Sequence, residues 1–238
     1  DELFTGYYDH FLLHLHAMQG RVGYDQALED WEKHVGVFIR NPILKNPRLY
    51  DEDPNFRGHI FDGSDEIRPY LSMGFDAPYQ EASYTSDLLR NRMLNELFHE
   101  ATPVILHEDD LNSMRSSVEN RSPYLDMELM RFAYSIPPQH LIRNGYAKYV
   151  LREAVGGILN DKVRLDRQKK GFNASINSMV DLTDPDVKNY LLDPKSEASE
   201  MFDLHKLNEL FDQFPIPNHL SKFIFNFINV RMFLELNA

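Results

Sequence analysis

Residues 110–126 read DLNSMRSSVENRSPYLD, and the reading of this stretch decides the fold. Its first seven residues finish a helix that the spacing predicts from Thr102 to about Ser116, with Thr102 as N-cap and Pro103 at the first helical position. The polar run ENRSPYLD, 119–126, breaks the periodicity and reads as a loop. Asp126 then stands where an N-cap belongs, opening a helix over Met127–Tyr134 that Pro137-Pro138 end. Helix, polar loop and capped helix follow one another with no strand signal between them.

The pattern repeats outward. Upstream, Leu88, Leu89, Met93, Leu94 and Leu97 recur at helical spacing within 86–99. Tyr8, Phe11, Leu12, Leu15 and Met18 do the same within 3–18, and a further helix is expected from Tyr24 to Ile39, carrying Trp31. Residues 41–63, with Pro42, Pro47 and Pro54, read as an irregular connection, followed by a short helix at Ile67–Met73. Downstream, helices are expected at Tyr146–Val155, stopped by Gly156-Gly157, and at about 184–193 and 203–213. The last run, His219–Leu236, is apolar on most faces and reads as a helix buried in a core. Internal repeats and low-complexity tracts are lacking. The fold class is mainly α, with residues 1–238 as a single unit.

Composition narrows the function classes. The chain has 238 residues, 42% hydrophobic, 26% charged and 12% aromatic, as expected of an ordered globular protein. There is no apolar stretch of about 18 residues to span a membrane. The lack of cysteine excludes disulfides, thiolate zinc sites and cysteine nucleophiles, and suits a reducing cytoplasm. A net charge of −12 disfavours nucleic acid and anionic membranes as partners, so a basic cluster in this chain carries information. The sequence begins at Asp1 in helical character, pointing to a larger chain.

Five groups of residues could carry chemistry. Lys162, Arg164, Arg167, Lys169 and Lys170 crowd DKVRLDRQKKGF; they suit phosphates, but composition alone favours a solvated loop with Asp161 and Asp166 as local partners. Asp1-Glu2, at an expected helix start, suit either the helix dipole or a magnesium ion beside a triphosphate. His10 and His14 stand four apart without the glutamate of a metalloprotease helix, and read as surface or interface residues; His107-Glu108-Asp109-Asp110 reads as a polar helix face. Glu119 and Arg121 would fix the 119–126 loop if they formed a buried pair. Glycine-rich phosphate loops of the GxxxxGK[ST] or GxGxxG type and the GxSxG nucleophile elbow are absent from the sequence.

Taken in order along the chain, DELFTGY, DLNSMRSSVENRSPYLD, AKYVLREAV and RQKKGF resemble four motifs of glutamine-hydrolysing asparagine synthetases. The resemblance covers most of 1–7 and 110–173. It implies the helical C-terminal portion of an α/β pyrophosphate-loop synthetase domain. In that family, MgATP activates the aspartate side chain as an acyl-adenylate. Ammonia, released from glutamine by an N-terminal glutaminase, then gives asparagine, AMP and pyrophosphate. Neither the glutaminase cysteine nor the S-G-G-x-D-S loop occurs in this sequence, so the resemblance implies that residues 1–238 alone catalyse no synthesis. A homodimer fits the family.

By the same resemblance, Asp1 is a magnesium ligand and Lys169 the lysine that stabilises charge in both chemical steps. Lys148, Lys170 and Arg167 bind phosphate or nucleotide. Glu119, Arg121 and Asp110 lie beside the intermediate or the ammonia route, although Leu111 replaces the family's arginine after Asp110. Residues 20–85 are longer and more acidic than the family core needs and read as a subfamily insertion. Relatives of this fold amidate sugar acids in surface-polysaccharide pathways or close β-lactam rings, so the substrate is open between aspartate and another acid. A helical interaction module without catalysis and an anion-binding protein using the basic run are the readings from other classes.

Overall fold

A computed structural model describes residues 1–61, 64–74, 80–168 and 174–237. They are mainly helical, as the sequence predicts, and the β pairing among them is two isolated antiparallel bridges, Leu71 with Phe202 and Arg143 with Tyr146. The chain divides into two compact units, Asp1–His59 with Tyr79–Lys169, and Ile60–Pro78 with Lys170–Ala238. Each has its own apolar core. No helix among the described residues is long and apolar enough to cross a membrane.

The first unit is built around α1 (Tyr8–Met18), which packs on α2 (Tyr24–His34), on the turn Leu49–Glu52 and on α3 (Leu88–Phe98). Leu12, Leu13 and Leu15 of α1 meet Leu89 and Met93 of α3, all fully or almost fully buried. Each such side chain contributes about 1.5–3 kcal/mol of burial. The helix starts at Tyr8 rather than at residue 3, because Thr5 takes a left-handed conformation at φ 70°, which no helix accommodates. Nor is α1 an ordinary amphipathic surface helix. Asp9, His10 and His14 on its polar side are buried too, which corrects the surface placement expected for the two histidines.

Other ends differ for identifiable reasons. The α2 helix stops at His34 and gives way to a single 3-10 turn, Gly36–Phe38. The helix α4 (Ala101–Met114) starts ahead of Thr102, so Thr102 does not cap it and Pro103 falls inside the first turn, where its missing N–H costs nothing. Asp126 caps α5 (Met127–Ser135) as predicted, its carboxylate accepting from Leu129 N at 2.8 Å. The helix α6 (Tyr149–Ala154) is shorter than expected, because Asn144, Gly145 and Lys148 all take positive φ just before it. Arg90 of α3 donates to the carbonyls of Ala133 and Ile136 at 3.1 and 2.5 Å, closing the C-terminal end of α5.

Residues 20–85 contribute to both cores. Trp31, Val35, Ile39 and Tyr50 are buried in the first, and Ile67, Tyr70 and Leu71 pack against the second. In the second unit, Asp184 caps α7 (Pro185–Leu191) and Asp203 caps α8 (Leu204–Phe211). The final helix, α9 (Ser221–Asn237), buries Phe223, Ile224 and Phe227, and Phe227 meets Phe202 edge-on at 4.9 Å. The all-round burial expected of α9 does not hold: Phe225, Met232, Phe233 and Leu236 are exposed. Apolar periodicity cannot say which face of such a helix finds a neighbour.

Candidate active site

The stretch DELFTGY folds back on itself. Thr5 turns the chain left-handed, and Gly6 comes so close to Asp1 that a Cβ there would lie 1.9 Å from Asp1 Oδ1. Only glycine allows the Asp1 carboxylate to occupy that place. The backbone N–H of Lys148 donates to Phe4 O at 3.1 Å and to Thr5 Oγ1 at 3.2 Å. These bonds hold Lys148 in the left-handed region, φ 59°, a conformation that costs a non-glycine residue about 1–2 kcal/mol. The effect is to bring the Lys148 ammonium onto the Asp1 carboxylate as an ion pair. Burial, helped by the nearby Arg152 guanidinium, holds this ammonium below the ordinary lysine range.

Asp1, Glu2 and Lys148 line a cavity of about 290 Å³ with Phe4, Tyr124 and Leu125. Tyr124 and Leu125 come from the polar loop that the sequence placed between two helices. Glu2 is fixed from two sides. Tyr7 OH donates to its Oε1 at 2.7 Å, and Tyr134 OH donates to its carbonyl at 3.2 Å. Burial and the Glu2 hydrogen bond raise the Tyr7 phenol, so it remains a donor.

Behind this wall lies a buried ionic cluster that sequence reasoning missed. The Tyr7 ring meets His10 edge-on at 5.2 Å, and His10 Nε2 stands 2.8 Å from Glu96 Oε2. Arg92 Nε lies 3.2 Å from Glu96 and 3.4 Å from Asp9, while its two terminal nitrogens grip Glu100 at 2.7 and 2.6 Å. Glu81 bonds Arg92 at 3.0 Å and Arg57 at 2.5 Å. Burial opposes the charge on Arg92, but Glu100, Glu96 and Asp9 outweigh it and raise the guanidinium. Asp9, His10 and Glu96 present donor atoms within 4.8 Å of one another, a spacing that suits a metal ion. Here the Arg92 guanidinium touches two of the three and supplies the positive charge.

The other candidate residues are placed as follows. Glu119 and Arg121 do pair, at 3.1 Å, but at 69% and 80% exposure, so the expected buried clamp on the loop is a surface contact worth about 0–1 kcal/mol. Asp110 is exposed on α4. Arg167 lies 3.9 Å over the Tyr146 ring and donates to Asn144 O at 3.2 Å, which ties the basic run to the turn leading into Lys148. Lys169 and Lys170 lie outside the described residues. Of the predicted set, then, Asp1 and Lys148 meet in one place. Gly6 and Thr5, which position them, were inside the quoted DELFTGY motif.

A carboxylate and a lysine converge on a small cavity of this helical protein, with a second carboxylate beside them. The chain belongs to the asparagine synthase family, whose model matches residues 1–222. It is also similar to asparagine synthetase (glutamine-hydrolyzing) 1 of Bacillus subtilis (strain 168), with 40% identity over 72 residues, which make up 30% of this chain and 11% of that protein. The matched part is thus a small share of the relative's length. No solved structure matches the chain.

Proposed function

We propose that the chain is the lysine-bearing, phosphate-side part of an ATP-dependent ligase that amidates a carboxylate, with aspartate as acceptor and ammonia from glutamine. The observation that carries this reading is the Asp1–Lys148 ion pair on the wall of the cavity shared with Tyr124 and Leu125. The donor set fits magnesium and a phosphate chain: carboxylate oxygens are hard ligands, and lysine is a point charge for phosphate. Asp1 would hold Mg2+ and Lys148 the pyrophosphate. MgATP, when bound, supplies the adenylyl group that activates the acid.

The remaining roles follow from chemistry and from the family. Lys169 stabilises charge on the phosphate, with Lys170 beside it. Arg167 acts through Tyr146 and Asn144, holding the turn before Lys148. Tyr7 and Tyr134 keep Glu2 facing the cavity, and Glu119, Arg121 and Asp110 border the acid or the ammonia route from the exposed side. A sugar acid or a β-lactam precursor in place of aspartate would use the same phosphate side.

The test is pyrophosphate release by the full-length protein across candidate acids, with Lys148→Ala and Lys169→Ala. The expected result is release dependent on one acid and on magnesium, with a loss of at least about a hundredfold in each variant, of the size found for a charge-stabilising donor. Unchanged release in Lys148→Ala would overturn the reading.

A second reading has its own observation. No residue of α4 is buried, and Val104, Ile105, Leu111 and Met114 are exposed along it. An apolar helix face of this kind marks an interaction surface. A helical interaction module would keep its partner binding, and show no pyrophosphate release with any acid.

A further inference from the structure

A second cavity of the first unit, about 570 Å³, shares no lining residue with the one at Asp1 and Lys148. Its apolar lining comes from Phe11 and Leu15 of α1, Trp31 of α2 and Ile142. Among the described residues that line it, two carry a charge near pH 7, Asp30 of α2 and Arg143. His14, the other titratable side chain of the lining, is buried and its pKa is pushed down to about 4, so it is neutral there. We propose that this cavity binds a small zwitterion with an apolar body: an amino acid whose ammonium meets Asp30 and whose carboxylate meets Arg143.

The two charges enter the cavity from different elements. Asp30 stands one turn before His34 on α2. A Cβ on Gly145 would lie 2.5 Å from His34 Cβ, so α2 is in close contact with the turn that carries Arg143. That turn is fixed. Arg143 and Tyr146 exchange both backbone hydrogen bonds, at 3.1 and 2.9 Å, and Asn144 and Gly145 between them take positive φ, the conformation of a tight two-residue hairpin turn.

Both charges are left for a ligand. Gln26 Nε2 donates to Asp30 Oδ1 at 3.1 Å, which orients the carboxylate without neutralising it. The Arg143 guanidinium lies 5.7 Å over the Tyr149 ring, a contact that uses none of its five N–H donors. Neither residue has an ion pair among the described residues, and they do not pair with each other although they line one cavity. A simple anion would meet Arg143 with Asp30 opposing it, and a simple amine would meet the reverse. A molecule that carries both charges satisfies both residues, and this is what selects a zwitterion. The volume falls within the 300–1,000 Å³ usual for small-molecule sites, where apolar lining supplies burial and a few polar groups fix orientation. Phe11, Leu15, Trp31 and Ile142 accordingly favour an amino acid with a large apolar side chain over a polar one.

The site stands apart from the role given to Asp1 and Lys148, and its readout is binding rather than pyrophosphate release. Trp31, the only tryptophan of the chain, reports on it directly. The experiment is titration of the 238-residue chain with L-phenylalanine, followed by Trp31 fluorescence and by calorimetry. Saturable one-to-one binding is expected, with a dissociation constant on the order of 0.1 mM for a ligand of this size. Phenylalaninamide, which lacks the carboxylate, 3-phenylpropionate, which lacks the ammonium, and L-aspartate, which lacks the apolar body, should each bind at least about tenfold more weakly. Arg143→Gln should weaken L-phenylalanine by about the same factor and leave phenylalaninamide unchanged. Asp30→Asn should weaken L-phenylalanine likewise and leave 3-phenylpropionate unchanged. Absence of saturable binding would overturn the proposal, and so would an L-phenylalanine affinity that either substitution leaves as it was.

Discussion

Gly6 stands against Asp1 with no room for a side chain between them: a Cβ on Gly6 would lie 1.9 Å from Asp1 Oδ1 and 2.3 Å from its Cγ. The Asp1–Lys148 pair therefore depends on a residue that carries no functional group. Gly6→Ala is expected to push the carboxylate off Lys148. Because φ at Gly6 is not in the left-handed region, the backbone itself tolerates alanine. The variant should keep its fold and melt within a few degrees of the parent, while the full-length protein loses at least about tenfold in pyrophosphate release, the cost of an Å-scale misplacement. Equal activity in Gly6→Ala would separate Asp1 from the chemistry.

Lys148 combines a charge with a strained backbone, and the two can be told apart. Lys148→Ala and Lys148→Gly both remove the ammonium from Asp1. Glycine also relieves the left-handed φ of 59°, a strain of about 1 kcal/mol. Urea denaturation should rank Lys148→Gly as the more stable of the two by about that amount, with pyrophosphate release equally low in both. If alanine were the more stable, the strain assigned to this turn would not exist.

Arg92 and Arg121 each pair with glutamate, and the pairs differ in everything but chemistry. Arg92 is buried among Glu81, Glu96, Glu100 and Asp9; Arg121 is exposed and meets Glu119 alone. Arg92→Met removes the guanidinium from Asp9, Glu96 and Glu100 in this largely buried cluster, with a cost of about 3–5 kcal/mol. Arg121→Ala should stay within about 0.5 kcal/mol of the parent. Chemical denaturation of the two variants measures both values, and similar losses in the two would show that burial is not what gives the Arg92 cluster its weight.

The contrast also explains what could be read in advance. Local rules placed most helices, since the Asp126 cap and the apolar spacing within 86–99 act over a few residues. The site residues Asp1 and Lys148 were legible through the order of four family motifs rather than through any property of their own. His10, Glu96, Arg92 and Asp9 were not legible, because His10 and Glu96 stand 86 residues apart and each looks like the polar face of an ordinary amphipathic helix. Only packing α1 against α3 turns those two polar faces into one buried cluster. The exposed Phe233 and Leu236 of α9 escaped for the opposite reason: apolar sequence states a preference for burial, and the neighbours decide whether it is met.

His14 supplies a prediction that depends on no ligand. Its pKa falls from the ordinary 6.5 to about 4 because burial penalises the imidazolium. In the unfolded chain the same ring takes up its proton near pH 6.5, so below that pH the unfolded state binds more protons than the folded state. Stability is therefore fully present above pH 6.5, falls as the pH drops toward 4, and stops falling from this cause below it. The loss across that window is about 3 kcal/mol. His14→Phe removes the group and with it this part of the slope, so the difference in unfolding free energy between parent and variant should shift by that amount between pH 7 and pH 4. Carboxylates titrate over the same range in both proteins and cancel in the difference. A difference that stays constant with pH would mean that His14 is protonated in the folded chain, and that its ring reaches water or a counter-charge.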